Sequence, residues 1–149
     1  MKYLKHLIYL DNCCFNRPYD DQLQPIIRLE TEAKLLIQKE ILKGKLGLVW
    51  SFILHFENSD NPYADRKKQI FLWEDKATAK VIFKQELQTH AETLMSLEIK
   101  KKDALHVACA LAAKADFLIT TDKKLLNKTV NGIIILNPMD FVRRYFYVD

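Results

Sequence analysis

Carboxylic acids at four separated positions are the residues of this sequence best suited to chemistry. Asp11 follows the apolar run HLIYL, Glu57 lies within SFILHFEN, and Asp103 and Asp122 stand at the two ends of DALHVACALAAKADFLITTD. Two carboxylates about 4 Å apart repel each other by roughly 1–4 kcal/mol at plausible surface dielectrics, so a cluster of them requires a cation. Carboxylate oxygens without a convincing set of cysteine or histidine ligands suit Mg²⁺ or Mn²⁺. Such an ion can supply an attacking water and stabilise a leaving oxygen, which predicts hydrolysis of phosphodiesters.

The elements around Asp103 and Asp122 indicate how one stretch would position two of these acids. Apolar residues between Leu105 and Ala112 recur at helical spacing, which places Asp103 at or near the start of a helix. The following FLIT is a short apolar run rich in β-forming residues, so Asp122 is predicted to follow a buried strand. In an α/β sheet, the starts of helices and the ends of strands lie on the same rim.

The other two acids are predicted to reach that rim from earlier elements. Asp11 follows the first predicted strand, His6 to Leu10. Glu57 lies one or two turns into the helix after a second strand, LGLVW, and Ser51 can cap this helix. Ligands of open parallel sheets bind beyond the carboxyl ends of the strands, so we expect the acids to converge there.

Continuous apolar strands that alternate with helices predict a three-layer α/β/α fold. Its central sheet is expected to be mainly parallel, with about four or five strands. A long helix is predicted from about Ile26 to Leu42, another from near Pro62, a third strand at KVIF and a further helix in QELQTHAETLMSLEI. The segment CCFNRPYDDQLQP is predicted to be a loop because Pro18 and Pro25 interrupt it. Without a repeat or a convincing linker, residues 1–149 are expected to form a single domain.

Charge and cysteine content narrow the classes of function. The net charge is +4, and lysines flank the predicted site at Lys100–Lys102 and at Lys123 and Lys124. Basic residues beside acids suit a site that holds a cation and a polyanion together. The three cysteines are odd in number and form no C-x-x-C pair, so reduced thiols are expected. No apolar run approaches the length of a membrane span, and the apolar core of the first residues is too short for a secretion signal. We therefore expect a cytoplasmic protein with no membrane association.

Other α/β enzymes fit the sequence less well. It contains neither G-x-G-x-x-G nor G-x-x-x-x-G-K-[ST], and three glycines leave little material for a loop that cradles phosphates. A haloacid-dehalogenase-like phosphatase would carry a second aspartate two residues after Asp11, where this sequence has Cys13. A two-component receiver domain would need paired acids near the first strand and a late lysine at a strand end, and the sequence does not match that arrangement.

Several segments resemble the PIN-domain family, whose members are mostly metal-dependent ribonucleases. Many bacterial members are the toxins of VapC-type toxin–antitoxin pairs. The resembling segments are IYLDNCCFNRP, SFILHFEN, KKDALHVACALAAKADFLITTDKKLL and IIILNPMDFV, which together span nearly the whole chain. The resemblance implies a PIN-like fold, cleavage of RNA with Mg²⁺ or Mn²⁺ and, if the protein is a toxin, an antitoxin protein as a partner. A homodimer through the early helices, the RNA target and the number of bound ions remain open.

Carried over position by position, the resemblance implies a catalytic set and a supporting set of polar groups. The implied catalytic residues are Asp11, Glu57, Asp103 and Asp122, and the implied metal ligands among them are Asp11, Asp103 and Asp122. The implied supporting residues are Asn12, Thr120 and Thr121. Many relatives have Thr or Ser after the first aspartate, where Asn12 stands here, and an amide can still hydrogen-bond a ligand. Some relatives carry a further acid after the last one, where this sequence has Lys123 and Lys124, which argues against a second tightly bound ion.

Simpler interpretations apply to several residues taken singly. Asp103 alone would be an ordinary helix cap and Asp11 alone an ordinary turn residue, but their joint placement on one rim favours a site. His106, one turn beyond Asp103, is predicted to be structural, as are His55 and His90. The alternative function is a catalytically silent PIN-like module that binds RNA or protein. The presence of all the expected acids favours the enzyme.

Overall fold

The computed structural model describes residues 5–146, which contain a five-stranded sheet that is parallel throughout. Its strands are β1 (Leu7–Leu10), β2 (Gly47–Ser51), β3 (Ala79–Val81), β4 (Phe117–Ile119) and β5 (Ile134–Leu136). They lie in the order β3-β2-β1-β4-β5. The first strand of the chain is therefore the middle strand of the sheet, and Tyr9 is in register with Val49 on one side and Leu118 on the other.

Helices connect these strands and cover both faces of the sheet. They are α1 (Asn12–Asn16), α2 (Pro25–Leu42), α3 (Phe52–Ser59), α4 (Ala64–Phe71), α5 (Gln85–Met95), α6 (Lys101–Ala112), α7 (Lys123–Leu126) and α8 (Pro138–Phe146). Short 3₁₀ helices follow α1 at Arg17–Tyr19 and α4 at Leu72–Lys76. Helix α2 packs against α8, and α5 packs against α6.

The strand order explains why the helices form two layers. The connection from β1 to β2 moves towards one edge of the sheet, and the connection from β3 to β4 returns across β2 and β1 towards the other edge. Because parallel crossovers are right-handed, α2 lies on one face of the sheet and α5 and α6 lie on the opposite face. The chain connections leave β1 towards one edge of the sheet and leave β4 towards the other edge. The carboxyl ends of these two strands therefore border the crevice where such sheets bind ligands.

The middle strands are apolar on both faces, as burial between two helical layers requires. Ile8, Tyr9 and Leu10 of β1 are fully buried, and so are Leu118 and Ile119 of β4. This continuous burial is the reason that the strands appear in the sequence as uninterrupted apolar runs. The expected three-layer α/β/α fold with a mainly parallel sheet is confirmed.

One local prediction was wrong, and a second was confirmed only in part. The segment after Asp11 is not a loop, because α1 begins at Asn12 and a 3₁₀ helix includes Pro18. The side chain of Asp11 accepts a hydrogen bond from the backbone N–H of Asn12, and proline is compatible with a first helical turn. The helix expected from near Pro62 begins at Ala64 and tightens into a 3₁₀ helix at Leu72.

Within residues 5–146, no helix combines the length and the apolar character that crossing a membrane would require.

Candidate active site

Asp11 lies at the end of β1, beside the end of β4, and its carboxylate is held from two sides. Its Oδ1 accepts a hydrogen bond from the backbone N–H of Asn12 at 2.7 Å, and its Oδ2 accepts one from the Thr120 hydroxyl at 2.8 Å. The Asp11 backbone N–H donates to the carbonyl of Ile119 at 2.9 Å. Asp11 is only 6% exposed, so this carboxylate is fixed at the crevice between β1 and β4.

Two further residues bring their side chains to Asp11 from different helices. His106, on α6 and 1% exposed, directs Nε2 to Glu57 Oε1, with which it forms a hydrogen bond. The same Nε2 lies 3.5 Å from Asp11 Oδ1. Glu57 lies on α3. The Ser51 hydroxyl caps the first turn of this helix by accepting a hydrogen bond from the backbone N–H of Leu54 at 3.3 Å.

A buried hydroxyl pair orients the imidazole of His106. The Tyr9 hydroxyl lies 2.5 Å from His106 Nδ1 and 2.6 Å from the Ser51 hydroxyl. Burial is the main reason that the pKa of Tyr9 is raised well above its ordinary value, so this group remains a neutral hydroxyl. With Nδ1 engaged by Tyr9, the other ring nitrogen is directed towards the two carboxylates.

Opposing effects determine the protonation of His106. Burial by itself lowers its pKa, but the charge of Asp11, the hydrogen bond to Glu57 and the charges of Glu57 and Asp103 raise it. The net shift of the His106 pKa is upward, which favours the imidazolium form. The two carboxylates therefore stabilise a positive charge on His106 in the ion-free protein.

Asp11, Glu57 and His106 form a group that could hold a metal ion. One potential ligand atom from each residue lies within 4.8 Å of those of the other two. Two carboxylates and one neutral imidazole nitrogen are acceptable ligands for Mn²⁺ and, with water, for Mg²⁺. An ion that used His106 Nε2 would displace the proton from that nitrogen, while the Nδ1 contact with Tyr9 supplies the outer hydrogen bond typical of metal-ligating histidines.

Asp103 and Asp122 extend this group on its α6 and β4 side. Asp103 lies in the first turn of α6, and Asp122 caps α7, where its Oδ1 accepts from the backbone N–H of Lys124 at 2.9 Å. Burial raises the pKa of the Asp103 carboxyl, and so do the charges of Asp11 and Asp122 and a hydrogen bond with Asp122. His106 has the opposite effect, and the resulting pKa is about 6. Asp103 is thus an electrostatic neighbour of Asp11 and Asp122, but neither Asp103 nor Asp122 belongs to the group whose potential ligand atoms lie within 4.8 Å of one another.

The predicted supporting residues occupy different positions. Thr120 is fully buried, donates to Asp11, and accepts at its hydroxyl oxygen from the backbone N–H of Asp122 at 3.1 Å. Thr121 donates its backbone N–H to Cys13 Sγ at 3.4 Å. The Asn12 side-chain oxygen accepts from Asn16 Nδ2 at 3.3 Å. Thr120 therefore joins two of the acids, whereas the side chain of Asn12 is engaged by its own helix.

Sequence reasoning placed His106 in the structure of the core, named Ser51 only as a helix cap and did not name Tyr9. His106 is indeed buried and hydrogen-bonded, but it also faces two of the predicted acids. Its position one turn after Asp103 was the available signal. The contact between Tyr9 and His106 joins residues 97 positions apart, and no local pattern predicts such a pair.

Comparison with known proteins identifies the fold. No protein-family model matches the sequence, and no curated protein is similar enough to count as a match. Eight chains of solved structures match, among them one from the crystal structure of VapBC2 from Rickettsia felis bound to a DNA fragment from their promoter. This match has a TM-score of 0.59 and covers 88% of this chain and 98% of that chain, at 14% sequence identity. The fold is PIN-like.

The PIN-like fold confirms the architecture that the sequence resemblance implied. The shared fold places the end of β1, the helix after β2, the start of α6 and the end of β4 around one crevice. At 14% identity the match concerns the fold alone, and the chemistry of the site depends on the side chains of this chain.

Proposed function

We propose that this protein is an endoribonuclease that depends on Mg²⁺ or Mn²⁺, with Asp11, Glu57, Asp103 and Asp122 as its catalytic acids. The observation that carries the proposal is the group formed by Asp11, Glu57 and His106, whose potential ligand atoms lie within 4.8 Å of one another. Two more acids act on the same group through space, as the raised pKa of Asp103 indicates. A site with so much negative charge is favoured when it binds a divalent cation.

Under this proposal, Asp11, Glu57 and His106 contact the ion, and the predicted ligands Asp103 and Asp122 complete its surroundings. A divalent cation bound there would polarise a phosphodiester and stabilise the charge of the leaving oxygen. Thr120 and the backbone N–H of Asn12 keep the Asp11 carboxylate in one orientation.

Lysines around the site support a polyanionic substrate. Lys100, Lys101 and Lys102 immediately precede Asp103, and Lys123 and Lys124 immediately follow Asp122. All of these lysines are exposed, so their charges are available to the phosphates of an RNA strand that reaches the acids. Contacts of this kind position the sugar-phosphate backbone of RNA and carry little information about its bases, so they favour RNA as a substrate without selecting a base sequence.

We further propose that the protein acts as the toxin of a toxin–antitoxin pair. The support is the PIN-like fold shared with a chain of the VapBC2 structure. An antitoxin would neutralise the acidic crevice by covering it with a cationic side chain or a helix. Co-expression with the product of an adjacent small gene should yield a stable complex that no longer cleaves RNA, and failure of every adjacent gene product to bind would remove this part of the proposal.

The nuclease proposal is tested by RNA cleavage in Mn²⁺, in Mg²⁺ and in excess EDTA. We expect the wild type to cleave with either ion and to be inactive in EDTA. Asp11→Asn and Glu57→Gln should lose at least about a hundredfold in rate, because they remove charge from the site. Glu92→Gln, on the exposed surface of α5, is the matched control and should retain full activity. Cleavage that persists in EDTA would refute the metal dependence, and an inactive wild type that still binds RNA would favour the non-catalytic module instead.

A further inference from the structure

Two exposed tyrosines and an arginine stack together where the 3₁₀ helix after α1 meets the start of α4. Tyr63 and Tyr19 are 59% and 42% exposed, whereas the side chain of Arg66 between them is only 19% exposed. The guanidinium carbon of Arg66 lies 4.3 Å from the centre of the Tyr63 ring and 5.1 Å from the centre of the Tyr19 ring. Arg66 also donates a hydrogen bond to the backbone carbonyl of Tyr19 at 3.0 Å, so one cation holds both rings. These three residues form the tyrosine platform.

A chain of asparagine side chains connects the tyrosine platform to the acids. The Asn16 amide donates to the side-chain oxygen of Asn12 at 3.3 Å, and the Asn61 amide donates to the side-chain oxygen of Asn16 at 3.4 Å. The Asn61 side-chain oxygen in turn accepts from the backbone N–H of Tyr63 at 3.1 Å. Asn12 holds the Asp11 carboxylate through its own backbone N–H. An unbroken series of hydrogen bonds therefore fixes the position of Tyr63 relative to the acidic crevice.

The tyrosine platform lies within reach of an RNA strand held at the acids. Asn16 follows Asp11 along α1 and Asn61 follows Glu57 at the end of α3, each by little more than one helical turn. One turn of helix and one hydrogen-bonded contact place the platform on the order of 10–15 Å from Asp11. Neighbouring phosphates of a stacked strand are about 3.4 Å apart along its axis, so the platform would meet bases a few nucleotides from the phosphate that is cleaved.

The charges around Arg66 favour a base over a phosphate as the group bound there. Asp20 Oδ1 lies 4.0 Å from Arg66 Nη1, and Asp20 Oδ2 accepts a hydrogen bond from Arg17 at 3.0 Å. Arg17 also donates to Glu30 at 2.9 Å, so two cations face two carboxylates. With this charge balanced, the platform offers mainly the flat faces of its rings, which are the surfaces on which unpaired bases stack.

We infer that the tyrosine platform is a subsite that stacks bases of single-stranded RNA beside the cleaved phosphate, with Asn61 as the positioning residue for Tyr63. The inference rests on the proposed function for its substrate class, and it adds where and how the bases of that substrate are held. Every base has a flat aromatic face, so the subsite selects unpaired RNA over duplex RNA rather than one base sequence.

Binding of a fluorescent RNA tests the subsite without requiring cleavage. The probe is a short single strand of uridines in which 2-aminopurine replaces one base at each position in turn, mixed with the protein in EDTA at low salt. Stacking quenches this fluorophore, so the wild type should quench it strongly at only one or two positions. Tyr63→Ala should weaken binding at least about fivefold, as is typical when a stacking ring is removed, whereas Tyr63→Phe should bind like the wild type. Asn61→Ala should also bind less tightly, and so should the probe annealed to its complement.

Phe146→Ala is the matched control and should bind the probe like the wild type. Phe146 is an exposed ring at the end of α8. It lies at the opposite end of the sheet from the acids, where the ring of its neighbour Tyr145 is 6.5 Å from the ring of His6, just before β1. Circular dichroism and Mn²⁺ binding should show that the substitutions at positions 61, 63 and 146 leave the fold and the acids undisturbed.

Cleavage kinetics in Mn²⁺ separate this inference from the nuclease proposal. Tyr63→Ala should raise KM at least about fivefold and leave kcat near the wild-type value, because it removes binding energy away from the reacting phosphate. Quenching that depends on Tyr63 in a protein that never cleaves RNA would support the subsite and refute the nuclease. A wild type that quenches no position, or a Tyr63→Ala variant that binds and cleaves single strands like the wild type, would overturn the subsite and leave the tyrosines to a protein partner.

Discussion

Asp103→Asn tests the electrostatics of the acidic group without requiring any catalytic activity. Burial and the charges of Asp11 and Asp122 raise the pKa of the Asp103 carboxyl from 3.8 to about 6. A shift of this size corresponds to about 3 kcal/mol, and because the residue is only partly buried and solvent screens its charge, we expect a cost of roughly 1–2 kcal/mol. The folded protein binds this proton more tightly than the unfolded chain does. The cost is therefore absent below about pH 4, develops between about pH 4 and pH 6, and is fully present above pH 6.

Thermal unfolding in EDTA measures this cost directly. At about pH 7.5, Asp103→Asn should melt about 3–6 °C above the wild type, and at about pH 4 the two should melt together. Excess Mn²⁺ should reverse the order at the higher pH, because a carboxylate that repels its neighbours then helps to bind the ion. Asp75→Asn, on the exposed part of the 3₁₀ helix after α4, is the control and should shift neither curve. A variant that melts below the wild type in EDTA at about pH 7.5 would refute the assigned repulsion.

Two further substitutions examine groups around the site and in the core. Tyr9→Phe removes the hydroxyl that lies 2.5 Å from His106 Nδ1. The Mn²⁺ affinity measured by calorimetric titration should fall by roughly tenfold or more, as is typical when an outer hydrogen bond of a metal site is lost. Unchanged affinity would exclude His106 from the ion's surroundings. Lys34 is 4% exposed, and burial lowers its pKa to about 8, so the folded protein loses stability as pH falls from about 10 to about 8. Lys34→Met should therefore raise the free energy of unfolding at pH 7 by up to about 3 kcal/mol, as measured by chemical denaturation. The gain should be smaller near pH 10. A gain that did not depend on pH would point to packing instead.

The fold was accessible from the sequence because its strands are buried on both faces. Runs such as LIYL and FLIT are apolar without interruption, which is the pattern of strands between two helical layers. The positions of Asp11 and Asp122 followed directly from these strands, since each acid comes just after one. Ser51 was predicted to cap α3 because a serine precedes the apolar helix, and its hydroxyl does accept from Leu54.

Other features depended on contacts that a linear pattern does not contain. The prolines at 18 and 25 favoured a loop after β1, but the side chain of Asp11 stabilises a helix there at once. His106 appeared as an isolated histidine among alanines, and its relation to Glu57 became visible only when α3 and α6 were packed together. Asn12 was expected to face the site, but its side chain is bonded to Asn16 one turn later.

The central claim is that the acids of this PIN-like fold bind a divalent cation, and titration of Mn²⁺ followed by electron paramagnetic resonance tests it most directly. The signal of free Mn²⁺ should disappear as it binds to the wild type. Asp11→Asn and Glu57→Gln should leave most of the Mn²⁺ free at the same concentrations, whereas Glu92→Gln should bind like the wild type. A wild type that binds no Mn²⁺, or a Glu57→Gln variant that binds it as tightly as the wild type, would contradict the claim.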